Sequence, residues 1–356
     1  GAMMNPHLDS WPRPDAFNHT AMEREWSAIV DRCPEARLCL RMEVCSPRWW
    51  DEAHPAELQQ HHDGRVEHHL PHTDRRTVPS LASPRWREDA AIALDHLLDW
   101  LDSTGWADRV WGVHLCHGVT FEWGILGSDD FVDYSGPMRR YFREWLQRTY
   151  AGDVERLREC WGQHEIDFDT AVIPTKDERL RGDGMYRELP RDRPAFDFQR
   201  CLSDANADCL LHLAGHVRRR RGDRYRLGAF YGYTLSAREF SRFAGTHGPG
   251  GLHGGQHALR RVLDSGLIDF LCSPYLYVNR DLGRGMLGRH QPLASMRARG
   301  VHFYEENDLR PHTTPDIDAA IEEDRRRPMS VGITTAAEAS VRHQQLAMAQ
   351  SLAEGT

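Results

Sequence analysis

The 356-residue sequence has no apolar run near 18 residues and no basic stretch leading into an apolar one. Neither a membrane-spanning helix nor a secretory leader is therefore read from it, and a soluble, unsecreted protein is the expectation. Gly1-Ala2-Met3 ahead of Met4 reads as a tag remnant. Cysteine is sparse: eight residues, at 33, 39, 45, 116, 160, 201, 209 and 272, with no C-x-x-C pair. That spacing argues for reduced core thiols rather than a disulfide or zinc framework, and points to the cytoplasm. An excess of positive charge is also lacking, since 45 Lys and Arg against 53 Asp and Glu leave a net charge of −8. This disfavours a nucleic-acid or anionic-membrane partner. The local exception, Arg218-Arg219-Arg220-Arg221, reads as the solvated end of a helix. No internal repeat and no low-complexity tract are present.

What is present is a regular alternation. Strand patterns run over 37–44, 109–117, 225–233, 268–274 and 301–307, each separated from the next by a helical pattern. Ser83-Pro84 has the form of an N-cap followed by proline at the first helical position, and Ala90, Leu94, Leu97, Leu98 and Leu101 form one apolar face behind it. Met138, Tyr141, Phe142, Trp145 and Leu146 repeat at helical spacing, and Leu259, Val262 and Leu263 make a short helix closed by Gly266. Asp15 to Cys33 reads as a helix with Phe17, Met22, Trp26, Ile29 and Val30 on one face. Strand, helix, strand at this period predicts an α/β chain with a parallel sheet and outer helices. Two polar segments, 51–80 and 236–256, follow strands, and in a barrel they would wall a pocket. The first holds His61, His62, His68 and His69, residues of a type that ligates zinc or nickel, but adjacent pairs in a polar loop read as solvated and no metal is assigned.

Two strand ends carry carboxylates beside aromatic rings: Gly118-Val119-Thr120-Phe121-Glu122-Trp123 and His302-Phe303-Tyr304-Glu305-Glu306-Asn307-Asp308-Leu309-Arg310. The C-terminal ends of parallel strands are where α/β barrels keep their catalytic groups. Two carboxylates on different strands suit a retaining glycosidase, one giving a proton to the leaving oxygen and the other attacking the anomeric carbon. Phe121 and Trp123 would desolvate Glu122, which raises a carboxyl pKa and keeps a proton available. Glu305 and Glu306 are adjacent and must face opposite ways in a strand, so only one can point inward. His114 and His117 read as core or pocket hydrogen-bonding groups, and Asp308 with Arg310 as a pair at the strand end.

Longer motifs occur in a fixed order: Pro47-Arg48-Trp49-Trp50 with His54-Pro55-Ala56-Glu57, Ser83-Pro84-Arg85-Trp86-Arg87, Gly118 to Trp123, and Asp133-Tyr134-Ser135 with Phe142-Arg143-Glu144-Trp145-Leu146. Phe230-Tyr231-Gly232-Tyr233, Gly255 to Leu259, Ser273-Pro274-Tyr275 and Glu306-Asn307-Asp308-Leu309-Arg310 follow. Together, from about Arg37 to His312, they resemble the β-galactosidase-like glycoside hydrolases of clan A, near family 42. The resemblance implies a retaining double displacement on a (β/α) barrel, with Glu122 as acid/base and, from the Glu-Asn-Asp pattern, Glu306 as nucleophile. It implies a small saccharide or glycoside as substrate and no cofactor. Trp49, Trp50, Trp123, Tyr231, Tyr233, Tyr275 and His117 would surround a pyranose, with Tyr275 the phenol that orients the nucleophile. In this clan the acid/base glutamate usually follows an asparagine that binds the sugar 2-hydroxyl. Phe121 stands there instead, so that contact comes from elsewhere or is missing.

The resemblance also implies strands before Arg37 and a final strand for which the sequence offers no pattern. The expected architecture is an N-terminal helical segment over 1–36 and an incomplete barrel over 37–356, with about five recognisable strands. Such a sheet has open edges, which predicts a homo-oligomer joined through the segment up to Cys33 or the helix from Ala336 to Leu352. A non-catalytic carbohydrate-binding or assembly protein is the competing class, because an open barrel can relax beyond catalytic tolerance.

Overall fold

The computed structural model describes residues 2–4, 10–66, 77–118, 121–124, 131–181, 187–235, 254–276, 280–283, 285–326 and 332–355. Strand β1, Ala2–Met4, precedes helix α1, Thr20–Arg32, then β2, Leu38–Glu43, α2, Arg48–Ala53, and α3, Pro84–Ser103. Strand β3, Val110–Cys116, leads into four helices: α4, Gly136–Thr149, α5, Val154–Trp161, α6, Lys176–Leu180, and α7, Arg193–Arg221. Then come β4, Arg226–Phe230, α8, Leu259–Asp264, β5, Phe270–Pro274, α9, Leu293–Arg297, β6, His302–Glu306, α10, Ile317–Arg326, and α11, Ala337–Glu354.

The six strands are hydrogen-bonded in sequence order and every neighbouring pair is parallel. Parallel crossovers take one hand, so consecutive order keeps the connecting helices on one face and leaves the other to line an interior. The sheet is also curled. Arg41 of β2 and Glu306 of β6 are four strands apart, about 19 Å in a flat sheet, yet their side chains meet at 3.1 Å. Trp111 of β3 and Tyr304 of β6 likewise have ring centroids 5.4 Å apart. This is a trough cut from a barrel wall, and among the described residues the sheet does not close.

The outer face buries the main core. Leu38, Leu40 and Met42, then Val113 and Leu115, Leu227 and Ala229, and Leu271 pack on Leu94, Leu98, Leu101, Leu210, Leu213 and Val217 of α3 and α7. Each fully buried aliphatic of this kind contributes about 1.5–3 kcal/mol of transfer free energy. A second core joins α4, α5 and α7 around Phe142, Trp145, Trp161 and Phe198. Beneath it Asp197 accepts hydrogen bonds from Tyr150 Oη at 2.6 Å and Trp161 Nε1 at 3.0 Å, and Arg193 pairs with it at 2.8 Å.

The five strands read from the alternation are all present, each trimmed by two to four residues. Helix α3 is capped as Ser83-Pro84 requires, with the Ser83 hydroxyl accepting from Trp86 N at 3.0 Å. The N-terminal segment differs from its expected helical form. Helix α1 starts only at Thr20, because Phe17 turns away to stack on His96 of α3 at 3.8 Å, and Ala2–Met4 pair in parallel with Leu38–Leu40. Beyond β6, Arg310 forms a parallel bridge with Ile333, so one strand-like contact extends that edge of the sheet. The arginine run ends α7 as expected, but two of its members are not solvated. Arg218 is bound to Asp269 and Arg221 to Asp99 and Asp102, which fastens the helix end to α3 and the β4–β5 edge.

Candidate active site

Strand β3 ends in a turn built by backbone conformation. Gly118 has φ +82° and Phe121 φ +75°, and His117 N donates to Phe121 O at 3.1 Å. A Cβ on Gly118 would stand 2.8 Å from Glu122 O, so glycine is needed there. A left-handed phenylalanine stores strain, which is the kind of outlier that gathers at working sites. The turn returns the chain to the sheet, where Glu122 bridges Phe230 in parallel and Trp123 N donates to Phe230 O at 2.9 Å. Directly bridged residues share a face, so Glu122 lies on the inner face with Phe230, buried to 7% exposure. Trp123 takes the opposite face, its Nε1 donating to Leu115 O at 2.9 Å within the main core.

The second carboxylate pair is separated by the same alternation. Phe303 belongs to the outer core, so Glu305 points outward and Tyr304 and Glu306 point inward. Glu306 Oε1 accepts from Arg41 Nη2 at 3.1 Å. Burial pushes the Glu306 carboxyl above its ordinary range while the Arg41 guanidinium pulls it down. Arg41 itself lies over the Phe121 ring at 4.5 Å and the Phe230 ring at 5.3 Å. Glu305 meets Arg289 Nη2 at 2.9 Å and accepts from the Ser351 hydroxyl of α11. Its burial lifts the carboxyl to about 7. Asp308 pairs with Arg280, at 2.6 Å, rather than with Arg310, whose backbone is engaged at Ile333.

The other residues singled out in the sequence divide by face. Tyr233 clusters with Cys116, Phe230 and Cys272 on the inner side and stacks on His290 at 4.7 Å. Tyr231 lies in the outer core, because Leu227, Ala229 and Tyr231 share one parity of β4. Tyr275 follows Leu271 and Ser273 outward, into a cluster with Leu287, Leu309 and Ala347, and its ring faces Arg289 at 5.1 Å. That position, beside the Glu305 partner, does not suit a phenol orienting Glu306. Trp50 is sealed against Trp86 with Nε1 on Asp89 at 2.8 Å, and Trp49 Nε1 holds Trp11 O at 3.0 Å. Both hold the N-terminal segment and α3 in place and neither reaches the trough. His117 Nδ1 lies 2.9 Å from Val44 O and its ring stacks on Trp123 at 5.2 Å, so it props the turn from outside. His61 is buried rather than solvated. His68, His69, Val119, Thr120 and most of the 236–256 segment lie outside the described residues.

Arg41 belongs to the site although no sequence motif points to it. A signal for it does exist, as a charged residue alternating with Leu38, Leu40 and Met42 in an otherwise buried strand. His114, its register partner on β3, is also inward and fully buried between Phe230 and Phe270, and neither ring nitrogen has a hydrogen-bond partner among the described residues.

Known structures share this architecture. The catalytic domain of the beta-amylase from Paenibacillus polymyxa superposes with a TM-score of 0.59 at 14% identity, covering 86% of this chain and 78% of that one. The cold-adapted beta-galactosidase from Rahnella sp. R3 gives a TM-score of 0.50 at 14% identity over 77% of this chain and 35% of that one. The beta-galactosidase from the psychrophilic Marinomonas ef1 gives a TM-score of 0.49 at 17% identity, and this chain spans 37% of its length. No curated protein matches the chain significantly. Over residues 11–244, about two-thirds of its length, the sequence matches the model of glycoside hydrolase family 42, beta-galactosidase, and the chain belongs to that family.

Proposed function

We propose that the chain is a retaining glycosidase of β-galactosidase type, acting on a small glycoside with Glu122 as general acid/base and Glu306 as nucleophile. The observation that carries the reading is the inward Glu306 bound to Arg41 at 3.1 Å on the face that also holds Glu122. Attack by an ionised Glu306 on the anomeric carbon would be matched by proton donation from Glu122 to the leaving oxygen. Water would then be activated by the same Glu122 to release the sugar. Arg41 favours the charged form of Glu306, and the reaction itself calls for no cofactor. A cytoplasmic setting belongs to the proposal and is supported by eight unpaired cysteines.

The competing reading, a non-catalytic carbohydrate-binding or assembly protein, is favoured by the unclosed sheet. Hydrolysis of a panel of aryl glycosides separates the two. The glycosidase reading expects turnover by the parent chain and its loss by on the order of 10⁴-fold in Glu306→Gln. Glu122→Gln should damage substrates with poor leaving groups more than activated aryl glycosides. Binding of sugars without turnover of any aryl glycoside would establish the alternative.

A further inference from the structure

A glycosidase transition state is stabilised by hydrogen bonds to the hydroxyl on the carbon next to the anomeric centre, and these strengthen as charge develops. The residue before Glu122 cannot supply one here. It is Phe121, held at φ +75° with its ring against Arg41. The guanidinium that this ring supports has donors to spare. Nη2 is bonded to Glu306, Nε is enclosed without an acceptor, and no other hydrogen bond of the group is present among the described residues. The Arg41 side chain is 13% exposed and Glu306 34%, so the pair opens to solvent on the inner face. His114, its unpartnered neighbour, is 0% exposed and reaches no opening.

Geometry then limits what the open edge of Arg41 can meet. A carboxylate poised for attack stands about 3–3.5 Å from its target carbon, and the neighbouring hydroxyl oxygen is two covalent bonds away from that carbon. A planar fork already bonded to the carboxylate therefore has its outer N–H groups within reach of that oxygen. Resting on the glycosidase reading above, we propose that Arg41 is a specificity-determining residue that binds the substrate hydroxyl adjacent to the reacting carbon, in the role that Phe121 cannot fill. The site would then select sugars with a free hydroxyl at that carbon and reject their deoxy counterparts.

The test compares an aryl glycoside with its 2-deoxy analogue on the parent chain, Arg41→Lys and Arg41→Met. The parent should prefer the hydroxylated substrate by about 10- to 100-fold in kcat/KM, the worth of one hydrogen bond to a charged donor. In Arg41→Met that preference should vanish, while the rate on the deoxy substrate reports the separate loss of support to Glu306. Arg41→Lys keeps the charge without the fork, so it should hold more of the deoxy rate yet still lose most of the preference. A preference unchanged in Arg41→Met would overturn the proposal. Calorimetric titration with the free monosaccharide and its 2-deoxy form gives a second readout that needs no turnover. A binding difference that disappears in Arg41→Met supports the assignment even if the parent hydrolyses nothing, whereas an equal difference in both proteins, or no difference in the parent, overturns it. Thermal melts of the two variants separate loss of fold from loss of contact.

Discussion

Glu306 is pulled in two directions, by burial that favours its neutral form and by Arg41 that favours its charge. In the proposed reaction Glu306 attacks as an ionised nucleophile, so this balance would set the acid limb of activity. Removing Arg41 takes away the stronger downward influence and leaves only the weaker one of Arg280 against burial and Asp308. In Arg41→Met the acid limb of kcat/KM is expected to move to higher pH, and a pH–rate profile checks it; a limb that stays in place would separate Arg41 from the ionisation of Glu306. The two glutamates also differ in standing, since Glu122 lies inside the matched residues 11–244 and Glu306 beyond them. His114 carries a second pH signature. Burial holds it near 3, against 6.5 for a free imidazole. Between those values the unfolded chain binds a proton that the folded chain refuses, so stability falls as pH drops through the window. His290, held near 3 by the same cause, adds to the fall. His114→Phe, set between Phe230 and Phe270, should flatten part of it by on the order of a few kcal/mol, read as a smaller loss of melting temperature on acidification.

Strands and helices are legible in the sequence where local chemistry decides them. Ser83-Pro84 marks the start of α3, and Ser83→Ala is expected to cost about 1 kcal/mol, seen as a lowered denaturation midpoint. The five longer strands are visible because β-branched and apolar residues run between turn signals. The facing of side chains is also legible, but only when parity is followed to the strand end. An inward Glu122 fixes Trp123 outward, and an outward Leu271 and Ser273 fix Tyr275 outward. Choosing aromatics by their nearness in sequence to a carboxylate instead selects residues on the wrong face. Arg41 escapes a motif search because its partner lies 265 residues away and four strands across, a distance closed only by the curl of the sheet. That curl depends on close packing inside the trough. Gly228 has no side chain because the Phe270 ring fills its place, and a Cβ added there would fall 2.0 Å from that ring. Gly228→Ala should displace Phe270, and a marked loss of stability by chemical denaturation is the expected result; a neutral outcome would show that the ring can move aside freely.

Across the whole molecule the outstanding requirement is the cover for the sheet. Among the described residues β1 pairs only with β2 and β6 only with β5, apart from the single bridge of Arg310 to Ile333. Unpaired edge groups and apolar surface next to them favour association over exposure to water. Helix α11 adds to that surface beside β6, to which it is tied through Ser351 and Glu305. Its outer side presents Val341 at 54% exposure, Met348 at 68% and Leu352 at 76%, residues spaced to share a helix face. We therefore expect the 356-residue chain to form a homo-oligomer with a closed symmetry whose interface includes this face of α11, since a self-complementary patch pairs with its own copy. Sedimentation or light scattering at micromolar concentration should give a mass above that of one chain. The combined change Val341→Glu, Met348→Glu and Leu352→Glu should lower that mass toward 41.0 kDa without loss of helical signal. A parent chain that stays monomeric would sink the expectation, and an oligomer untouched by the three charges would move the interface away from α11 to the strand edges.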